Sequence, residues 1–199
     1  MNFGTQANPI KNNMFKKFYH IHLDLDGVFC DLNNKLSQLL NKPCCEITEQ
    51  EWNDSLRKYT HPQSDINFFL DLDLLPWAKE FYLLMLQLNK REDITISFLT
   101  SISANKTHTR RVIAEKELWI LKYLGDELPV VYSNSFKTKH EVLKKEYDNE
   151  NDFLKSLNTT HILIDDFILQ KSIWEQHGGV FIHHLGDLKQ TYHKLIELI

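Results

Sequence analysis

The sequence predicts an α/β fold built on a five-stranded, mostly parallel sheet flanked by helices. Two patterns carry that expectation. Short apolar runs rich in β-branched residues alternate with longer stretches of helical spacing, as in strand–helix–strand units. Four of these runs also end at polar groups: Asp24 and Asp26, Thr100 and Ser101, Lys137 and Lys139 just past the third, and Asp165 and Asp166. Parallel sheets bind ligands outside the carboxyl ends of their strands. Polar residues at four successive strand ends therefore point to one site rather than to four unrelated turns.

The first strand is the apolar run from Tyr19 that stops at Asp24-Leu25-Asp26-Gly27. Leu32, Leu36, Leu39 and Leu40 then have helical spacing, ending near Pro43, and a polar-faced helix is expected from Glu46 to Tyr59. Pro76 suits the first turn of the next helix, whose buried stripe would be Trp77, Phe81, Leu84, Met85 and Leu88. Alternation and β-branching make Ile94 to Leu99 the second strand. A helix from Lys106 to Leu124 follows, closed by Gly125. Pro129 to Tyr132 is the third strand, and Thr138 with Glu141 reads as a capping box opening a helix that runs into the charged stretch Lys144 to Asp152. His161 to Asp165 is the fourth strand. A helix over Ile168 to His177, a return through Gly178-Gly179, a fifth strand at Val180 to His183 and a helix over Asp187 to Leu198 complete the chain.

With 199 residues the chain is long enough for one sizeable core. An apolar content of 42% and a charged content of 25% are ordinary for a globular protein. The net charge of −4 comes without a basic stripe, which argues against binding long nucleic acid but not against a nucleotide-sized ligand. Cys30, Cys44 and Cys45 are odd in number and two are adjacent, so no disulfide framework is expected. The ten histidines show no ligand spacing, and His20 and His22 read as packing residues beside the first strand. No signal-peptide core or membrane-length apolar run is visible, so a cytoplasmic protein is expected.

Residues two apart on a strand point the same way, so Asp24 and Asp26 leave the first strand close together. Two carboxylates so near each other repel unless a cation neutralises them, and Mg²⁺ suits oxygen ligands of this kind. Gly27 lets the backbone turn sharply. Carboxylates, hydroxyls and an ammonium together suit phosphoryl transfer. One aspartate can attack phosphorus, and a second can protonate the leaving oxygen and later deprotonate water.

Asp24-Leu-Asp-Gly-Val28, Phe98-Leu-Thr-Ser101, a lysine and Leu163-Ile-Asp-Asp166, in that order, resemble the four motifs of the haloacid dehalogenase superfamily. Leu163 to Phe167, Trp174 to Gly179, Ile182-His183 and Phe68-Phe69 with Leu75 to Ala78 resemble its 5'(3')-deoxyribonucleotidase group. The likeness covers roughly residues 20–185, apart from a charged insertion near 144–158. It implies a Rossmann-like core at 18–31 and 93–199, a helical cap at 32–92 and a flexible N-terminal arm at 1–17. It further implies Asp24 as nucleophile and Asp26 as acid/base, with phosphate held by Thr100, Ser101 and Lys137 or Lys139, of which Lys137 is preferred. Mg²⁺ would be held by Asp24, Asp26 and Asp166, with Asp165 beside them or acting through water.

The resulting expectation is a hydrolase of phosphoric monoesters, acting on a nucleoside monophosphate with no membrane partner. A homodimer is compatible with it. Three other readings share some ingredients: a polynucleotide end phosphatase or sugar-phosphate phosphatase, a phospho-accepting signalling domain, and a glycosyltransferase using Asp24 and Asp26. Phe68, Phe69 and Trp52 are candidates for stacking on a base, though cap core is the commoner use of such aromatics. Arg110 and Arg111 read as helix-surface charges, and Trp174 with Gly178-Gly179 as a structural anchor and turn.

Overall fold

The computed structural model describes residues 16–102, 106–144 and 156–199. Most of the expected arm at 1–17 and the charged stretch 145–152 lie outside the described residues. Five strands form one sheet: β1 (Phe18–Leu23), β2 (Ile94–Ser101), β3 (Val130–Ser133), β4 (Thr159–Asp165) and β5 (Val180–His183), in the order β3-β2-β1-β4-β5. Every neighbouring pair is parallel. The helices are α1 (Leu32–Leu40), α2 (Glu49–Tyr59), α3 (Ala78–Leu88), α4 (Lys106–Tyr123), α5 (Gln170–Gln176) and α6 (Leu188–Leu198), with 3₁₀ turns at Cys44–Glu46 and Phe136–Lys144. No described helix is long and apolar enough to cross a membrane.

Strand alternation sorts the sheet into two unlike faces. Register pairs Ile21 with Ile96 and Ile162, and Leu23 with Phe98 and Ile164. All six are fully buried in a large apolar cluster with Phe81 and Met85 of α3, Trp119 of α4 and Leu195 of α6. Full burial of a large apolar side chain contributes about 1.5–3 kcal/mol, so this face supplies most of the hydrophobic stabilisation. The other face holds a smaller cluster of Leu99, Leu163, Trp174 and Phe181. The same face presents His20, His22 and Asp24 in one row, and His161 and Asp165 in the next.

Three local expectations change. The second helix begins at Glu49 rather than Glu46, because Thr48 caps it: its hydroxyl accepts from the Glu51 N–H, and Glu51 Oε2 accepts from the Thr48 N–H at 2.8 Å. The box expected at Thr138 is absent. The turn already starts at Phe136, and Thr138 Oγ1 instead accepts from the Ser135 N–H at 3.1 Å. In α3 the buried positions are Ala78, Phe81, Tyr82, Met85 and Leu88. Tyr82 takes the place expected for Leu84, because its hydroxyl can donate to Glu127 Oε2 at 2.7 Å while its ring is buried.

Candidate active site

The strand order reverses between β1 and β4, since the chain runs outward through β2 and β3 and then returns to β1's other side. Open α/β sheets place ligands at such a switch point. Asp24 follows β1, Asp165 ends β4 and Asp166 follows it. Oxygen atoms of these three carboxylates lie within 4.8 Å of one another.

Lys139, from the 3₁₀ turn, lies 2.7 Å from both Asp24 Oδ1 and Asp165 Oδ2. It is fully buried, and Lys137, preferred from sequence, is exposed. The turn geometry explains the exchange. Residues two apart on a tight helix face different ways, so only one of the pair can point at the sheet. The contact to Asp165 is a hydrogen bond, whereas that to Asp24 is an ion pair without hydrogen-bond geometry. Asp24 Oδ1 is thus a buried acceptor with no hydrogen-bond donor among the described residues.

Burial drives the Asp24 carboxyl well above its ordinary range; Lys139 opposes this, while Asp165, Asp26 and Asp166 add to it. Burial, followed by the charges of Asp165 and Asp26, pushes Asp166 up to about 7. For Lys139, burial alone would lower the ammonium, but Asp24 and Asp165 reverse that and hold it above its usual value. Three carboxylates face one ammonium, an imbalance that a dication would correct. Gly27 has φ +77°, and a Cβ there would lie 2.0 Å from Asp166 Oδ2. The missing side chain makes room for the third carboxylate. An orphaned buried oxygen, an all-oxygen donor set and this cradle fit a hard ion such as Mg²⁺.

The other half of the site belongs to a residue that the motif reading does not reach. Lys116, from α4 and fully buried, donates to Asp26 Oδ2 at 2.6 Å, Thr100 Oγ1 at 2.7 Å and the Ser101 carbonyl at 3.0 Å. An ammonium has three protons, so Lys116 is saturated and acts by positioning. Its Nζ also sits 4.5 Å from the centre of the Phe69 ring. A sequence signal existed: Lys116 interrupts the stripe formed by Val112, Trp119 and Ile120, where an unpaired charge would not be tolerated.

Asp26 points toward Lys116 and is outside the group of three carboxylates. Its Oδ1 meets the Cys30 thiol at 3.4 Å. Thr100 is fully buried, and Ser101 Oγ lies 3.2 Å from Ser133 Oγ. Phe68 and Phe69 are buried and Trp52 packs against the core, so these rings are packing residues. Arg110 is exposed, but Arg111 is not a surface charge. Its guanidinium donates to Glu115 and to the carbonyls of His61, Ser64 and Ile66, while Glu115 accepts from the Phe69 N–H at 2.8 Å. Compared with known proteins, the chain matches no protein-family model and no curated protein.

Proposed function

We infer that this chain is a Mg²⁺-dependent phosphomonoesterase of the haloacid dehalogenase kind, acting on nucleoside monophosphates. The observation that carries the reading is the convergence of Asp24, Asp165 and Asp166 within 4.8 Å beneath the ammonium of Lys139. Held by these three carboxylates, Mg²⁺ would keep Asp24 ionised and offset the charge of a phosphate.

In the first half-reaction an Asp24 oxygen forms a bond to phosphorus as the bond to the leaving oxygen breaks. Asp26 gives that oxygen its proton. Lys116 fixes Asp26 through Oδ2, which leaves Oδ1, touched by the weakly donating Cys30 thiol, as the oxygen to carry the proton. In the second half-reaction Asp26 takes a proton from water, the water oxygen bonds to phosphorus, and the bond to Asp24 breaks. Lys139 donates one proton to Asp165 and only pairs its charge with Asp24, so a further proton is available to a phosphate oxygen. Thr100 accepts from Lys116 and keeps its own O–H to donate.

Residues 32–92 would act as the cap that excludes water and selects the leaving group. Supporting this, residues 61–72 are lashed to α4, the helix that carries Lys116, by Arg111, Glu115 and the Trp119 N–H to the Leu72 carbonyl.

The test is phosphate release from a panel of nucleoside monophosphates and sugar phosphates, with and without Mg²⁺. Asp24→Asn is expected to lower kcat on the order of 10³-fold or more with folding intact. Equal turnover by both proteins would remove Asp24 as nucleophile. Preference for a 3'-phosphorylated oligonucleotide over every mononucleotide would shift the substrate to polynucleotide ends.

A further inference from the structure

On the second face of the sheet, just behind Asp24, the chain places three imidazoles where a parallel sheet ordinarily carries Val, Ile or Leu. His20 and His22 stand two apart on β1, and His161 pairs with His20 across β4. One ligand nitrogen from each lies within 4.8 Å of the others. His22 Nε2 is 3.0 Å from His161 Nδ1, and His22 Nδ1 is 3.3 Å from Ser97 Oγ on β2. His20 Nε2 is 3.0 Å from the same hydroxyl. The His20 and His22 rings stack with centroids 4.0 Å apart, and the edge of Trp174 closes the site against His22. Expectation from sequence gave these histidines no ligand spacing. A His-x-His pair on a strand does have it, because both rings share a face, but the third ligand is supplied only by the β1–β4 pairing.

We propose that His20, His22 and His161 form a binding site for one divalent transition-metal ion of the zinc class, separate from the carboxylate site. Imidazole nitrogens select Zn²⁺, Co²⁺, Ni²⁺ or Cu²⁺, whereas Mg²⁺ prefers oxygen. Neighbouring ligands of a tetrahedral zinc with Zn–N bonds of 2.0–2.1 Å stand about 3.3 Å apart. The 3.0 Å pair already has nearly that spacing, and the widest pair must close by no more than about 1.5 Å. No net proton need leave: if His22 Nε2 donates to His161, its proton moves to Nδ1, where Ser97 Oγ can accept it, and Nε2 is freed to ligate. Ser97 would then fix the ring's tautomer, as outer-shell partners of metal-bound histidines do. The bound ion clamps β1 to β4 two residues before Asp24, so it stabilises the fold whether or not the protein is a phosphatase.

The experiment is a titration of metal-stripped protein with Zn²⁺ against a chromophoric chelator, with excess Mg²⁺ present to occupy the carboxylates. One equivalent is expected to bind and to raise the thermal midpoint. Loss of even an outer-shell partner weakens metal binding about 10–100-fold, so His20→Gln and His161→Gln are each expected to weaken Zn²⁺ by at least that, while Asp166→Asn leaves it unchanged. Co²⁺ should give an intense visible band in the wild type that His161→Gln lacks. Should the histidine variants fold poorly, X-ray absorption of the zinc-loaded wild type is expected to show scattering from several imidazole rings. Zinc binding that survives in both histidine variants, that disappears in Asp166→Asn, or that shows no imidazole scattering would overturn the assignment.

Discussion

Lys116 Nζ lies 2.6 Å from Asp26 Oδ2 across 90 positions of sequence. This contact approaches the site from the sheet face opposite to Lys139. Lys116→Met is expected to destabilise the protein by roughly 3 kcal/mol, the lower end of the range for removing one partner of a buried pair, since Asp26 is partly open to solvent. Denaturant unfolding checks this. Activity should fall through kcat more than KM, because Asp26 and Thr100 lose their common support. Lys116→Arg is not expected to rescue it, since a planar fork cannot reproduce three converging bonds.

Gly27→Ala places a methyl group on a carboxylate and forces a side chain into a left-handed backbone. The conformational term alone is about 1–3 kcal/mol. The displaced Asp166 should raise the Mg²⁺ concentration needed for half-maximal activity at least about tenfold. An unchanged Mg²⁺ dependence would take Asp166 off the ion.

Burial, with the charges of Asp165 and Asp26, holds the Asp166 carboxyl up at about 7 in the folded chain, against an ordinary value of 3.8. Between those values the native state holds a proton that the unfolded chain has released. The ion-free protein should therefore lose stability as pH rises from about 4 through about 7, and regain it as pH falls. Asp166→Asn should flatten that slope, and Mg²⁺ should reduce it. Proton and ion compete for one group, so apparent Mg²⁺ affinity should weaken below pH 7, approaching about tenfold per unit. Thermal midpoints and Mg²⁺ titrations across pH 5–8 measure both.

Arg111→Met removes the donors that hold the carbonyls of residues 61, 64 and 66. The bonds to Ser64 and Ile66 are part-buried and that to His61 is exposed, so each lost bond costs about 0.5–1.5 kcal/mol, least at His61. Limited proteolysis is expected to begin within residues 60–67, ahead of global unfolding. Cleavage elsewhere at an unaltered rate would show that this arginine does not secure the segment.

The elements were legible where pattern and burial agree. Ile94 and Phe98 alternate into the core, and Gly125 closes its helix in a left-handed backbone, whereas Pro76, expected in a helix's first turn, lies just before the cap at Trp77. Local bonds moved the boundaries: Thr48 starts its helix by pairing with Glu51, while Thr138 turns back to Ser135. At the site, Asp24, Asp165 and Asp166 could be read because each ends an apolar run. Choosing Lys139 over Lys137 needed the turn's orientation. Lys116 needed the tertiary fold, since its partners lie on other elements and only its place in an apolar stripe hinted at burial. His161 likewise becomes a neighbour of His22 only through strand pairing.

The pairing of Tyr19 with Thr160 joins residues 141 positions apart in the chain. Contacts so remote in sequence form slowly, and during synthesis the early strands must wait for residues 159–165 to leave the ribosome. Until then Asp24 has no acidic neighbours from β4, and both proposed ion sites are incomplete. On the proposed assignments ion uptake follows the pairing of β4 with β1, and a nascent chain stalled before residue 159 would bind neither ion at these sites, however well its first strands had collapsed.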